Sequence, residues 1–139
     1  MKTQLYVNLP VKDLKRSIEF FTQLGFTFNP QFTDDNATCM IIGENINAML
    51  LVEEFFKGFT KKEISDTRKT AEVILALSVD NRAQVDELVG KAVKAGAPTP
   101  AEPKDYGFMY QHGFQDLDGH LWEVFYMDEA AMAAQQPQK

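Results

Sequence analysis

The sequence lacks three features that mark secreted, membrane-bound or nucleic-acid-binding proteins. Only one of its 139 residues is a cysteine, Cys39, so no internal disulfide can form and a reducing cytoplasm is the expected compartment. No apolar run approaches the roughly 18 residues of a spanning helix, and the N-terminus has no signal-peptide pattern. The 14 Lys and Arg against 20 Asp and Glu give a net charge of −6 without a basic stripe. Neither nucleic acid nor a membrane surface is therefore an expected partner.

Sequence motifs of several common enzyme classes are also missing. The 8 glycines are scattered, which argues against a loop that cradles phosphates. No serine-nucleophile motif and no CxxC pair occurs. Cys39 stands among Met and Ile residues of a predicted strand, so we expect it to be buried and inert.

The first half of the chain reads as a strand, a helix and three more strands. Residues 4–12 alternate between apolar and polar side chains, which predicts a half-buried strand. Asp13 stands where a helix N-cap belongs, apolar residues then recur at helical spacing, and Gly25 ends the helix. Three further strands are predicted, at residues 26–32, 37–42 and 46–52.

The second half repeats this order. Residues 72–79 alternate again, and Asn81 with Gln84 forms a capping-box signal for a second helix. Two strands follow at residues 107–114 and 121–127, and a turn joins them. The strand between the second helix and residue 107 is the weakest prediction, because prolines crowd that segment.

The two strand-to-helix joints, at Val11 and Val79, lie 68 residues apart, about half of the chain. We therefore predict one α+β domain over residues 1–139, built from two βαβββ modules; the alternative is that the order recurs by coincidence. The predicted parts are module one (3–52), a linker (53–71), module two (72–127) and a tail (128–139). The linker is expected to contain helical turns or to cover something, and residues 130–139 to be frayed or disordered.

The strand faces that point away from the helices are candidate ligand-binding surfaces. The apolar faces of the two opening strands must lie under the helices that follow them. Their opposite faces carry Tyr6 and Asn8 in module one, and Ile74, Ala76 and Ser78 in module two. We expect them to look into a concave pocket. The alternative is that Tyr6 and Asn8 are simply exposed.

The strand over residues 121–127 carries one carboxylate, Glu123, between apolar neighbours. Such a carboxylate needs a cation, a hydrogen-bond donor or a metal, unless it faces solvent at a sheet edge. If residues 116–119 form a four-residue hairpin loop, His112 lies opposite Glu123, and a shift of one residue would remove this pairing. Two ligands are fewer than the three that a catalytic metal usually takes.

Two segments carry motifs of a known superfamily. Residues 7–26, VNLPVKDLKRSIEFFTQLGF, and residues 116–123, DLDGHLWE, resemble the opening and the closing turn and strand of vicinal oxygen chelate domains. In the second motif Leu117 replaces the usual proline. This superfamily comprises glyoxalase I, bleomycin-resistance proteins and extradiol dioxygenases. Together with the repeat, the resemblance covers residues 3–127.

The resemblance implies an architecture and a set of metal-ligand positions. It implies two βαβββ modules that form a curved, cup-shaped mixed sheet with the helices outside, and a homodimer. Metal-dependent members place ligands at positions that correspond here to Tyr6, Met49, Ile74 and Glu123. Only Glu123 is of ligand type, so we expect no conventional metal site and predict no cofactor. A divalent metal held by Glu123 with His112 as a second ligand is the alternative.

The function that follows is binding of a small organic molecule in the cup without such a metal site. Glu123 is the candidate anchor, or the catalytic residue if the protein is an enzyme. The candidate ligand contacts are Tyr6, Asn8, Ser78, Tyr110, His112 and Phe125. The alternatives are a glyoxalase-like lyase or isomerase with an altered metal site, and a non-catalytic structural or regulatory protein. Fold does not decide among these three.

Overall fold

The computed structural model describes residues 2–135 and divides the chain into two compact units, Met1–Thr70 and Ala71–Lys139. Each unit contains a four-stranded mixed sheet with a helix between its first and second strands. Module one lies within the first unit and module two within the second. The predicted α+β class with two βαβββ modules is confirmed. Among the described residues, no helix is both long and apolar enough to cross a bilayer.

Module one has a sheet with the strand order β1-β4-β3-β2, in which β1 and β4 are parallel and the other pairs antiparallel. Its elements are β1 (Leu5–Val11), α1 (Leu14–Leu24), β2 (Thr27–Asn29), a 3₁₀ turn (Pro30–Phe32), β3 (Ala37–Gly43) and β4 (Ile46–Val52). The strand predicted over residues 26–32 is shorter than expected. It ends because the Asn29 side chain accepts a hydrogen bond from Gln31 N (3.0 Å) and Pro30 has no N–H for a ladder.

Helix α1 begins and ends where the sequence predicts. Asp13 Oδ1 accepts a hydrogen bond from Arg16 N (3.2 Å), which satisfies one of the free amides at the start of the helix. Gly25 closes the helix with φ at 103°, a left-handed conformation that a residue without Cβ adopts readily. The buried residues of α1 are Leu14, Ser17, Phe20, Phe21 and Leu24. They form the apolar side of the helix within the core of module one.

The linker contains helical turns, as the sequence predicts. It begins with α2 (Glu53–Phe56) and continues in a 3₁₀ turn (Lys57–Phe59). The rings of Phe55 and Phe59 meet edge to face with their centroids 5.3 Å apart. Phe55 is 39% exposed and Phe59 70% exposed, so this pair contributes little to the core.

Module two repeats the topology of module one with the strand order β5-β8-β7-β6, in which β5 and β8 are parallel. Its elements are β5 (Ile74–Ser78), α3 (Arg82–Lys94), β6 (Lys104–Asp105), β7 (Met109–Gln115) and β8 (Leu121–Met127), followed by α4 (Glu129–Gln135). Asn81 caps α3 as predicted by accepting from Gln84 N (2.9 Å). The strand predicted with least support, β6, is only two residues long.

The C-terminal segment differs from its prediction. The sequence predicts that residues 130–139 are frayed or disordered, but α4 extends through Gln135. Asp128 supplies the start signal of this helix, because its side chain accepts from Ala131 N (3.0 Å) and its carbonyl from Met132 N (2.9 Å). Residues 136–139 of the predicted tail lie outside the described residues.

The turn between β7 and β8 is organised around a buried carboxylate. Asp116 is 4% exposed; its Oδ1 accepts from the backbone amides of Asp118 (2.9 Å) and His120 (3.0 Å), and its Oδ2 accepts from the indole Nε1 of Trp122 (3.0 Å). Burial raises the pKa of this carboxyl, against the opposing effects of His120 and of the three donors. Trp122 in turn stacks on Phe114 with the ring centroids 6.2 Å apart. The Asp116 side chain therefore connects the turn to the core through its hydrogen bond with Trp122.

The thiol of Cys39 should resist alkylation in the folded protein. The residue is 2% exposed, and burial raises the pKa of its thiol, which lowers the fraction of reactive thiolate. We expect iodoacetamide at neutral pH to modify Cys39 at least about 100-fold more slowly in buffer than in denaturant, since modification requires opening of module one. Intact-mass spectrometry over time measures both rates. Equal rates would contradict the burial of Cys39.

Candidate functional site

Module two contains a pocket of about 270 Å³ between its sheet and the segment that follows α3. One wall is formed by residues 98–102 together with Lys104. The other wall is formed by the second half of β7, the first half of β8 and Ile74 of β5. Strand β6 pairs with only two residues of β7, Tyr110 and Gln111, so the rest of this edge of β7 toward Gln115 is not paired with β6. The pocket lies along this part of the edge.

Glu123 lies in this pocket opposite a glycine. In the sheet, Glu123 of β8 is aligned with Ala76 of β5 and Gly113 of β7, so neither neighbour covers it with a large side chain. A Cβ at Gly113 would lie 2.9 Å from the carbonyl oxygen of Trp122 and 3.7 Å from Cγ of Glu123. The glycine thus permits close approach of β7 to β8, and no side chain of β7 stands opposite the carboxylate.

The carboxylate of Glu123 is half-buried and has no partner among residues 2–135. Within the part of the chain that the structure describes, no hydrogen bond or ion pair involves it. Its neighbours on the same face of β8 are Leu121 and Phe125, which are apolar. A carboxylate in such surroundings is stabilised by a hydrogen-bond donor or a cation, and the described side chains supply neither to Glu123.

The predicted pairing of His112 with Glu123 is wrong. His112 is aligned with Val124, and Gly113 takes the place opposite Glu123, so His112 and Glu123 lie on opposite faces of the sheet. The cause is the loop. Asp116 N donates to His120 O (3.1 Å), Gly119 adopts φ 83°, and Gln115 pairs with Leu121 rather than with His120, so that five residues (116–120) connect the strands instead of four. The shift of one residue turns the imidazole away from the carboxylate.

His112 instead attaches the pocket wall to the sheet. Its Nε2 lies 2.8 Å from the carbonyl oxygen of Ala101 and must donate to it, since a carbonyl only accepts. In the neutral ring this tautomer makes Nδ1 an acceptor, and Nδ1 is buried without a partner among the described residues. Residues 98–103 include three prolines, which have no N–H, so the imidazole supplies one of the contacts that hold this wall.

Sequence reasoning missed two glutamines of the pocket, Gln111 and Gln115. Both lie on β7 on the same face as Glu123, on either side of Gly113. Their alternation with His112 and Phe114 is visible in the sequence. This alternation could not be interpreted correctly, because the predicted four-residue loop places the wrong residues of β7 on the face of Glu123.

Three other predicted contacts in module two do not line the pocket. Tyr110 lies on the helix side of the sheet, where its hydroxyl donates to Asp86 of α3 (2.7 Å) and its ring lies under Arg82. The hydrogen bond to Asp86 raises the pKa of Tyr110. Ser78 and Phe125 share the face of Glu123 but lie toward the other end of β8, outside the pocket lining.

The predicted contacts of module one lie on an exposed face. Tyr6 is 45% exposed and its hydroxyl donates to the side chain of Gln4 (3.2 Å). Asn8 is exposed and its side-chain amide donates to the carbonyl of Tyr6 (3.3 Å). In module one the structure therefore agrees with the alternative that Tyr6 and Asn8 are exposed.

The donor set does not fit the divalent metal of metal-dependent vicinal oxygen chelate proteins. The corresponding positions hold a phenol at Tyr6, a thioether at Met49 and an alkyl chain at Ile74, which leaves Glu123 alone. Over residues 2–135, no three side chains of His, Cys, Asp or Glu come together as a metal site would require. These side chains therefore support no chemical step through a metal at those positions.

Comparison with known proteins places these features in a family context. Residues 3–43 match the family described as bleomycin resistance protein-like N-terminal. No curated protein matches the chain. A solved structure of a hypothetical protein from S. aureus is 30% identical, with a TM-score of 0.77 over 91% of this chain and 95% of that one.

Two further solved structures share the fold at lower identity. A glyoxalase/bleomycin resistance protein/dioxygenase family enzyme from Burkholderia phytofirmans is 20% identical, with a TM-score of 0.76 over 91% of this chain and 99% of that one. The fosfomycin resistance protein FosX from Mesorhizobium loti is 15% identical, with a TM-score of 0.65 over 91% of this chain and 92% of that one. At these identities the likeness concerns the fold.

Proposed function

Because the chain belongs to the vicinal oxygen chelate superfamily, the group of glyoxalase and bleomycin-resistance proteins, we propose that it binds a small organic molecule in the pocket of module two. The Glu123 carboxylate is the polar anchor. The observation that carries the proposal is this half-buried carboxylate, which lines a cavity of about 270 Å³ and has no partner within the described part of the chain.

The composition of the pocket supports a binding role. Apolar side chains of Ile74 and Leu121 line it beside the polar groups of Glu123, Gln111 and Gln115. Binding sites for small molecules commonly combine apolar walls with a few polar groups that fix the orientation of the ligand. In the proposed complex, the apolar side chains bury the ligand and the three polar side chains fix its orientation.

The pocket wall has a defined place in this proposal. Residues 98–102 close one side of the cavity, and the hydrogen bond from His112 to Ala101 O fixes their distance from β7. A wall that is already positioned lowers the entropy lost when a ligand binds. In this proposal His112 is therefore a positioning residue. Its Nδ1 is buried and does not contact the ligand.

A thermal-shift screen tests this function. We expect compounds that raise the Tm of the wild-type protein to bind about tenfold more weakly, or worse, to Glu123→Gln, because the substitution removes the charge of the anchor and keeps its size. Isothermal titration of each hit against both proteins gives the Kd values.

Glu63→Gln is the matched control, since Glu63 is exposed and has no partner among the described residues. It makes the same change of charge in the other unit, and every hit should bind to it as it binds to the wild type. Hits that bind equally to Glu123→Gln, or the absence of any hit from a broad library, would contradict the proposal.

A further inference from the structure

The charges of the pocket are unequal, and among the described residues its one lysine does not pair with Glu123. Two carboxylates, Glu123 and Glu102, line the cavity, against one ammonium group, Lys104. Lys104 is exposed on β6, opposite Gln111, and within the described residues it forms no ion pair with Glu123. Strands β5, β7 and β8 contain no Lys or Arg at all. An anionic ligand that reached the floor of the pocket would therefore meet a carboxylate of its own sign.

The acceptors around Glu123 have a particular arrangement. Gln111, Gly113 and Gln115 alternate along one face of β7, so the two amide side chains stand about 7 Å from the glycine position on either side. Because Gly113 has no side chain, no side chain of β7 stands between the two glutamines opposite Glu123. The Glu123 carboxylate and a glutamine amide oxygen can thus accept hydrogen bonds from one small group that carries several donors.

We infer that the ligand is a small organic cation, a primary alkylammonium whose nitrogen lies over Gly113 and whose carbon chain lies against Ile74 and Leu121. This inference rests on the proposed function. An ammonium group has three N–H donors, of which one can bind the Glu123 carboxylate while another binds a glutamine side-chain oxygen. It also supplies the positive charge that a carboxylate among Leu121 and Phe125 lacks.

The size of the cavity limits the class of ligand further. A volume of about 270 Å³ equals roughly nine waters at their share of about 30 Å³ each in the liquid. A compound the size of benzylamine fits this space, whereas a large glycopeptide antibiotic does not. The structure therefore points to a metabolite-sized amine.

A matched series of three probes tests the inference. Benzylammonium, benzyl alcohol and benzoate share the aromatic ring and differ in the charge of the head group. Each is titrated into ¹⁵N-labelled protein at neutral pH, and the amide shifts of Gly113, Gln115 and Glu123 are followed. We expect benzylammonium to shift these amides with a Kd at least about tenfold below that of benzyl alcohol, and benzoate not to shift them. Glu123→Gln should remove this preference, and Glu63→Gln should keep it.

The outcomes separate the inference from the proposed function. If benzyl alcohol or benzoate shifts the same amides as tightly as benzylammonium, the pocket binds small molecules and the cationic class is wrong. If benzylammonium binds wild type and Glu123→Gln alike, the carboxylate is not its partner and the inference is wrong. If none of the three shifts these amides, both the inference and the proposed function are contradicted. Binding of benzylammonium that also weakens in about 0.5 M salt supports the charge pairing.

Discussion

Asp116→Ala should lower the free energy of unfolding by about 3 to 5 kcal/mol, the largest effect we expect from a single polar substitution in module two. The Asp116 carboxylate accepts hydrogen bonds from two backbone amides, of Asp118 and His120, and from the Trp122 indole, and it is almost fully buried. Its removal takes away an acceptor from all three donors, and a buried donor that loses its acceptor costs about 1–3 kcal/mol. Urea unfolding followed by the fluorescence of Trp122, the only tryptophan, measures the change.

Two variants show whether the lost acceptors cause this effect. Asp116→Asn keeps the size of the side chain and one oxygen but puts an NH₂ group where an acceptor was, so we expect it to lose at least half as much stability as Asp116→Ala. Asp35→Ala is the control, since Asp35 is exposed and has no partner in the described residues. It should change stability by less than about 0.5 kcal/mol. An Asp116→Ala protein within about 1 kcal/mol of the wild type would contradict this account of the turn.

The turn also shows how far sequence reasoning reached. The motif DLDGHLWE predicted a strand–turn–strand segment, and α1 and α3 begin at the caps predicted for them, because those signals act within a few residues. The register of β7 against β8 was not predictable in the same way. It depends on the φ of Gly119 and on the hydrogen bond between Asp116 N and His120 O. A difference of one residue in that loop moved His112 to the opposite face.

The candidate site was predictable only in part. Glu123 was identified because a carboxylate between apolar neighbours is unusual in any register. The wall over residues 98–102 could not be predicted, since it has no periodicity and is placed by a contact to His112 from a distant part of the chain. Gln111 and Gln115 could be placed in the pocket only once the register of β7 against β8 was known. The role of Gly113 became clear only from its position opposite Glu123. Long-range contacts therefore decide the composition of the pocket.

Gly113→Val should close the pocket and destabilise module two at the same time. Its Cβ would lie 2.9 Å from the Trp122 carbonyl oxygen, which is backbone and cannot move without shifting β8. We expect a loss of about 1–3 kcal/mol in the free energy of unfolding from this overpacking. The added methyl groups would also occupy the space beside Glu123, so benzylammonium should no longer shift the amides of Gln115 and Glu123.

Gly90→Ala separates the local effect from a general response to replacing glycine. Gly90 lies within α3, and a Cβ there would meet nothing within 4 Å. Alanine at this position should raise the free energy of unfolding by up to about 1 kcal/mol through its higher helix propensity, and it should leave the probe shifts unchanged. Urea titration gives the stability of both variants, and the same amide spectra report binding. If Gly113→Val kept wild-type binding, the ligand would not lie over Gly113 beside Glu123, and the proposed position of the ammonium group would be wrong.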